Sequence, residues 1–248
     1  MNWLQLIERR ISVRQYEEVV AEATLARVGQ ICEHINSLAS PEVVFRPLPP
    51  GQGRVRIPLG RVPAPRYIAA VSSGQQEALS DLGDRGQRLV LHLTSAGLGT
   101  CWQGFLPDRQ ALGQGLELED GRSVNALLAW GLSRPGPSKT RRRLPPEKIA
   151  YFAEGNDPRY PWRTVLEAVR WAPSALNRQP WRLWFGAEGI HLYARPGFIA
   201  RSYTPIEMGI ARCHLELACR QLAIAGQLMT APHPSPQGWQ YWVSYLFT

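Results

Sequence analysis

Trp171-Ala172-Pro173-Ser174-Ala175-Leu176-Asn177-Arg178-Gln179-Pro180-Trp181 is the stretch on which the reading of this chain turns. A helical pattern leads into it, with Trp162, Val165, Leu166, Ala168 and Val169 at helical spacing and Pro161 suited to the first turn. Pro173 ends that helix, because a proline disfavours the helical region for the residue before it. A hydroxyl, a carboxamide, a guanidinium and a second carboxamide come next. Pro180 and Trp181 then open an apolar run to Phe185 that reads as a strand. A polar loop is thus held between a helix and a strand, and loops on rigid supports are where ligands are usually met. Ser174 and Asn177 offer neutral hydrogen bonds to a planar, heteroatom-rich molecule, and Trp181 offers to shield it. The same residues also suit a helix C-cap followed by an ordinary turn.

Upstream, residues 2–10 read as a short helix that runs into Arg9-Arg10-Ile11-Ser12-Val13-Arg14-Gln15-Tyr16. If this segment is extended, alternate side chains share a face, so Arg10, Ser12 and Arg14 point together. Two cations and a hydroxyl are what a phosphomonoester with an adjoining polar ring needs. A solvated basic turn carries the same composition. Residues 17–38 read as a second helix, 43–45 and 67–71 as strands, and 75–96 as a long helix with Leu82, Leu89 and Leu93 inward. That helix ends at Gly97-Leu98-Gly99-Thr100-Cys101-Trp102-Gln103-Gly104, where a glycine supplies a left-handed C-cap and Gly104 lets a ring approach bare backbone. Cys101 has no His or Asp near it in sequence and reads as a packed thiol.

Residues 124–132 are a continuously apolar strand, followed by a Pro-bounded basic cluster of Lys139, Arg141, Arg142 and Arg143. The cluster is too short and too poor in aromatics for a nucleic-acid groove, and one phosphate fits it better. Residues 47–65 read as an irregular connection with a short strand near 55–57, and 146–160 as a polar connector. Residues 181–185 and 189–194 form a hairpin, 206–222 a helix carrying His214, which reads as a packed or surface histidine rather than a catalyst, and 239–247 a closing aromatic strand.

The chain has 248 residues, a net charge of +8 and a hydrophobic fraction of 44%, enough for one large core or two small ones. No apolar run is long enough for a transmembrane helix, and the first residues lack a signal-peptide core, so a cytoplasmic protein is expected. The four cysteines are scattered without a C-x-x-C pair, so neither a metal site nor a disulfide framework is expected. The positive charge suits an anionic small molecule, and arginine suits bidentate phosphate contact.

Laid against itself so that Asp81-Leu82-Gly83 falls on Glu207-Met208-Gly209, the chain repeats its order of elements. The halves 1–150 and 151–248 then carry different chemistry. The first has Arg10-Ser12-Arg14 and the Gly97 to Gly104 motif; the second has the Pro173 to Asn177 loop.

These stretches together resemble the FMN-dependent nitroreductase family. Its Arg-Arg-Ser-x-Arg-x-(Phe/Tyr) pattern is met at Arg9 to Tyr16 with Ile11 as one extra residue. Its Ala-Pro-Ser-x-x-Asn-x-Gln-Pro-Trp pattern is met at Ala172 to Trp181, and its Gly-Leu-Gly-(Ser/Thr)-Cys-Trp-x-Gly pattern at Gly97 to Gly104. Members are usually homodimers with FMN at the subunit interface. This chain is similar to a fused branch in which both half-units lie in one polypeptide, a monomer that is an internal pseudo-dimer, with further self-association left open. The resemblance implies an α+β fold with a mixed, mostly antiparallel sheet in each half. It also implies one complete FMN site per chain. It casts Arg9, Arg10, Ser12, Arg141 and Arg143 in phosphate binding and Arg14 at the ring edge where reduction gathers negative charge. Trp102, Gln103 and Gly104 fall near the ring N5, and Pro173, Ser174, Ala175 and Asn177 on the ring and ribityl chain. No side chain is then catalytic, since the flavin carries the chemistry. The implied activity is ping-pong reduction of nitroaromatic, quinone or similar acceptors by NADH or NADPH, with no Rossmann fingerprint to choose between donors. An oxidase or dehalogenase on the same scaffold, or a flavin-binding protein without turnover, are the alternatives. No nucleic-acid or membrane partner is expected.

Overall fold

Leucines at helical spacing between 75 and 96 do form a long helix in the computed structural model. The structure describes residues 1–38, 42–50, 62–104, 112, 116–118, 121–134, 142–153, 159–195 and 201–248. The expected strand near 55–57 lies outside them, as do Lys139 and Arg141. The chain divides into two compact units, Arg9–Lys139 and Met1–Glu8 with Thr140–Thr248. The boundary read from the repeat, at 150, lies eleven residues after Lys139.

In the Arg9–Lys139 unit, α2 (Glu22–Ser37) precedes β1 (Val44–Pro47) and β2 (Arg66–Ser72), then α3 (Gln76–Ser95), β3 (Gly99–Gln103) and β4 (Ser123–Gly131). The sheet order is β1-β2-β4-β3 with every pair antiparallel. Its centre reads as a continuous apolar run because both faces are covered. Ile68, Leu127 and Leu128 are buried there, and α3 adds Leu82, Leu89 and Leu93. The Asn36 side chain bonds both backbone groups of Phe45, at 2.9 and 3.0 Å, and so ties α2 to β1.

One boundary differs from the sequence reading, for a backbone reason. The helix expected from 17 begins at Glu22, because the chain before it pairs with the end of β4. There the Glu17 N–H reaches the Leu132 carbonyl at 2.9 Å, and Tyr16 bridges Ser133. The helix before Gly97 ends as expected, with Gly97 at φ 79° and its N–H on the Thr94 carbonyl at 3.1 Å. The chain then enters β3 directly.

The other unit contains α1 (Trp3–Arg9) up to Glu8, then β5 (Ala150–Phe152), α4 (Trp162–Arg170), β6 (Trp181–Phe185), β7 (Gly189–Ala194), α5 (Thr204–Gln221), β8 (Gly226–Met229) and β9 (Gln240–Phe247). The sheet order is β5-β6-β7-β9-β8. Only β5, a strand within the expected polar connector, is parallel to its neighbour. Its three residues are too few to show a period in the sequence. The hairpin of β6 and β7 closes with the Gly186 N–H on the Gly189 carbonyl at 2.9 Å. Helix α4 packs on α5, where fully buried His214 sets its Nδ1 2.7 Å from the Ala168 carbonyl oxygen. Of the two readings open for that histidine, packed or surface, the structure shows the packed one. No helix among the described residues is long and apolar enough to cross a membrane.

Candidate functional site

Two sets of polar groups answer to the motifs, one in each unit. The first is carried by the chain that runs beside β3. Ser12 forms a parallel bridge with Thr100, and the Val13 N–H bonds the Thr100 carbonyl at 2.9 Å. Extended pairing sends Val13 inward, and β3 admits it only because residue 99 is glycine. A Cβ there would sit 2.7 Å from Val13 Cγ2. The alternate residues Arg10 and Arg14 both reach Ser12. Arg10, 3% exposed, directs an Nη1 to Ser12 Oγ at 3.5 Å, and the exposed Arg14 donates to the Ser12 carbonyl at 3.2 Å. Arg9 is exposed at the end of α1.

Strand β3 itself supplies the next groups. Trp102 donates its indole N–H to Gln87 Oε1 at 3.2 Å and lies against α3 at Gly86. Gln103 is buried, and its Nε2 has no hydrogen-bond partner among the described residues. A buried, unpartnered amide nitrogen costs free energy unless a ligand accepts from it. Gly104 comes next, half-buried. Burial pushes the Cys101 thiol up, with Arg14 and Arg10 pulling the other way. A buried, protonated thiol is no nucleophile.

The second set is the loop after α4. The Trp171 N–H caps that helix on the Glu167 carbonyl at 3.1 Å, and buried Pro173 turns the chain away. Ser174 organises the rest of the loop. Its carbonyl takes the Asn177 N–H at 3.0 Å, and its Oγ takes the Gln179 N–H at 2.9 Å. The hydroxyl proton has no acceptor among the described residues and remains to be donated. Leu176, Asn177 and Gln179 sit at φ 52°, 56° and 52°, a conformation non-glycine residues adopt only when their surroundings hold them.

Two holders surround the loop, and neither is legible in the sequence. On one side is the segment 142–144. Arg143 donates to Asn177 Oδ1 and to the Trp171 carbonyl, and its guanidinium lies 5.6 Å from the Trp171 ring centroid. The Asn177 Nδ2 returns a bond to the Arg142 carbonyl at 2.9 Å, and the Leu144 N–H reaches Gln179 Oε1 at 2.9 Å. The resemblance groups Arg143 with Arg10 and Ser12; the contacts described for it are with the loop. On the other side Glu207, in the first turn of α5, takes the Ala175 N–H at 2.8 Å and pairs with Arg178 at 3.0 Å. Burial raises its pKa, opposed by Arg178 and by the Ala175 N–H. The one sequence signal for Glu207 is its match to Asp81 in the repeat.

The described residues therefore present two sets of donors, a cationic one around Arg10, Ser12 and Arg14 and a neutral one around Ser174 and Asn177.

A crystal structure described as a putative nitroreductase from Thermotoga maritima superposes with a TM-score of 0.67 at 22% identity, over 100% of this chain and 94% of that one. A protein described as a putative NADH dehydrogenase/NAD(P)H nitroreductase from Bacteroides thetaiotaomicron reaches 0.48 at 17% identity, over 60% of this chain and 96% of its own. An FMN-dependent nitroreductase from Clostridium difficile R20291 reaches 0.42 at 16%, over 55% and 90%. No curated protein matches the chain. The family model described as "Putative TM nitroreductase" matches residues 2–219, most of the chain, and the protein belongs to that nitroreductase family.

Proposed function

We propose that the chain is an FMN-dependent oxidoreductase that takes electrons from NADH or NADPH and passes them to nitroaromatic, quinone or similar acceptors. Membership of a generally flavin-binding family of oxidoreductases supports the class. The observation that carries the cofactor is Gln103: a buried amide nitrogen without a protein acceptor among the described residues, on the strand that Ser12 pairs with. An isoalloxazine ring is rich in acceptors and suits it. When bound, FMN supplies the redox chemistry at its ring N5.

The chain's own residues have narrower tasks. Arg10 and Ser12 hold the phosphate by charge-assisted bonds, joined by Arg141 and Arg143 in the resemblance. Arg14 places a cation at the ring edge that becomes negative on reduction, a preorganised stabilisation that needs no rearrangement. Ser174 donates its uncommitted hydroxyl proton, and Asn177 keeps the loop in register. The matching strand order of the two sheets, β1-β2-β4-β3 and β6-β7-β9-β8, supports a duplicated chain in which each half keeps only part of the flavin machinery.

The test is the purified protein. It should be yellow, release one FMN per chain, bleach anaerobically with NADH or NADPH, and recover its colour with a nitroaromatic or a quinone. A colourless chain that takes up no FMN overturns the cofactor. Binding without bleaching leaves a flavin-binding protein, and bleaching with recovery only in oxygen makes it an oxidase. Two FMN per chain contradicts the asymmetric sharing of motifs.

A further inference from the structure

Glu207 is 3% exposed in the first turn of α5, and burial outweighs Arg178 and the Ala175 N–H in setting its pKa, which stands above the usual carboxylate value. The corresponding residue in the other unit behaves differently. Asp81 of α3 bonds Arg85 one turn along its own helix, at 2.7 Å. In α5 that next-turn position is Ala211, so Glu207 has no such partner there and turns outward.

It turns to both ends of one short loop. Its Oε1 takes the Ala175 N–H and its Oε2 the Arg178 guanidinium, at 2.8 and 3.0 Å. Between those two residues lie Leu176 and Asn177 at positive φ, with the Leu176 side chain 81% exposed. Apolar burial of Leu176 therefore does not hold the strained tip. The two bonds to Glu207 on one side, and the bonds of Asn177 to Arg142 and Arg143 on the other, do. The Ser174 hydroxyl is fixed in consequence, since Gln179 can reach its Oγ only when the tip keeps this shape.

We infer that Glu207 is a positioning residue for flavin binding. From behind the loop, its carboxylate keeps the Ser174 hydroxyl and the Asn177 carboxamide in the orientation a bound flavin requires. The inference rests on the loop being a flavin site, as proposed above.

The experiment compares FMN binding to the apoprotein, by fluorescence quenching, with thermal unfolding of the same apoprotein. Glu207→Gln keeps an acceptor for Ala175 and loses the charge facing Arg178; Glu207→Ala loses both. The dissociation constant for FMN should rise about tenfold in the first and further in the second. The unfolding midpoint separates a loss of binding from a loss of the fold. The visible spectrum of bound FMN should shift towards that of free FMN. Should both variants fail to fold, Arg178→Gln makes the test from the half-buried partner, 19% exposed, and should weaken FMN in the same sense. Unchanged FMN affinity and spectrum in variants that fold overturn the inference, whatever happens to their stability. A parent protein that takes up no FMN at all overturns the flavin reading, and this one with it.

Discussion

The two sheets share a strand order and differ in what is attached to them. Strands β1, β2, β4 and β3 lie side by side as β6, β7, β9 and β8 do, with α3 and α5 inserted at the same point of the path. In the Arg9–Lys139 unit the free edge of β3 is used: the chain at Ser12 and Val13 bridges it, and backbone pairing aims the arginines. In the other unit the polar groups sit in the connection from α4 to β6, where side chains hold them from two sides. The common topology thus fixes where helices cover sheets. The chemistry is set by what each edge or connection presents. The first set offers positive charge in fixed order; the second offers neutral donors whose charges, Glu207 and Arg143, are committed to holding the loop.

The sharpest way to break that contrast is to vary the ligand together with the protein. Arg10→Gln should weaken FMN by about 10- to 100-fold, the loss of a charge-assisted bond to phosphate. It should leave riboflavin, which has no phosphate, almost untouched, and it should flatten the dependence of FMN affinity on salt. Ser174→Ala should weaken both ligands equally, by about fivefold, and leave the salt dependence as it was. Equal losses of FMN and riboflavin in Arg10→Gln would mean that the cationic set does not meet the phosphate.

Packing offers a second contrast. On α3, Gly86 lets the Trp102 ring approach so closely that a Cβ would stand 2.4 Å from Cη2 and 2.8 Å from Cζ2. The equivalent position on α5 is Arg212. Alanine is the better helix former by about 1 kcal/mol, so only the clash can make Gly86→Ala harmful. The ring is rigid and tied to Gln87, and a Cβ would also meet Phe45 Cε1 at 3.1 Å. Overpacking of this kind costs about 1–3 kcal/mol, and the clash should win. The unfolding midpoint should fall by about 3 °C, and the tryptophan emission should shift as Trp102 is displaced. A midpoint that holds or rises would show that the indole moves aside freely.

What was legible in the sequence divides along the same line. Periodicity long enough to be counted gave α3 and β4, and the Pro-Ser-x-x-Asn stretch located the loop between α4 and β6. The alternation of Arg10, Ser12 and Arg14 is a local property, and extended backbone realises it. Strand β5 has three residues and β8 four, too short to show a pattern. The late start of α2 depends on pairing with β4, more than a hundred residues away. Glu207 was out of reach for the same reason. Its partners Ala175 and Arg178 lie on another element, and nothing around it in sequence distinguishes a carboxylate that grips a loop from one facing water.

The smallest effect separates the sheets by pH. On the face of β7 and β9, His191 Nδ1 lies 2.6 Å from Ser244 Oγ, which lies 2.8 Å from the Tyr241 hydroxyl; the His233 ring stacks on Tyr241 at 3.7 Å. Burial lowers the His191 pKa, His233 adds to the shift, and Glu188 opposes it. A folded value below the unfolded one means that the unfolded chain takes up the proton first. The stability is therefore whole above the unfolded pKa, near 6.5, and is lost as pH falls through it. The loss is bounded by about 1.4 kcal/mol per pH unit for one proton. His92, between α2 and α3, shifts the same way through burial, His34 and Arg88, so the other unit contributes its own slope. His191→Gln keeps a group able to bond Ser244 and cannot be protonated. Its unfolding midpoint should fall less between pH 7.5 and 5.5 than that of the parent, and combining it with His92→Gln should flatten the curve further. Superimposable curves for parent and His191→Gln would place the pH sensitivity in the Arg9–Lys139 unit and leave the His191–Ser244–Tyr241 chain a neutral packing feature.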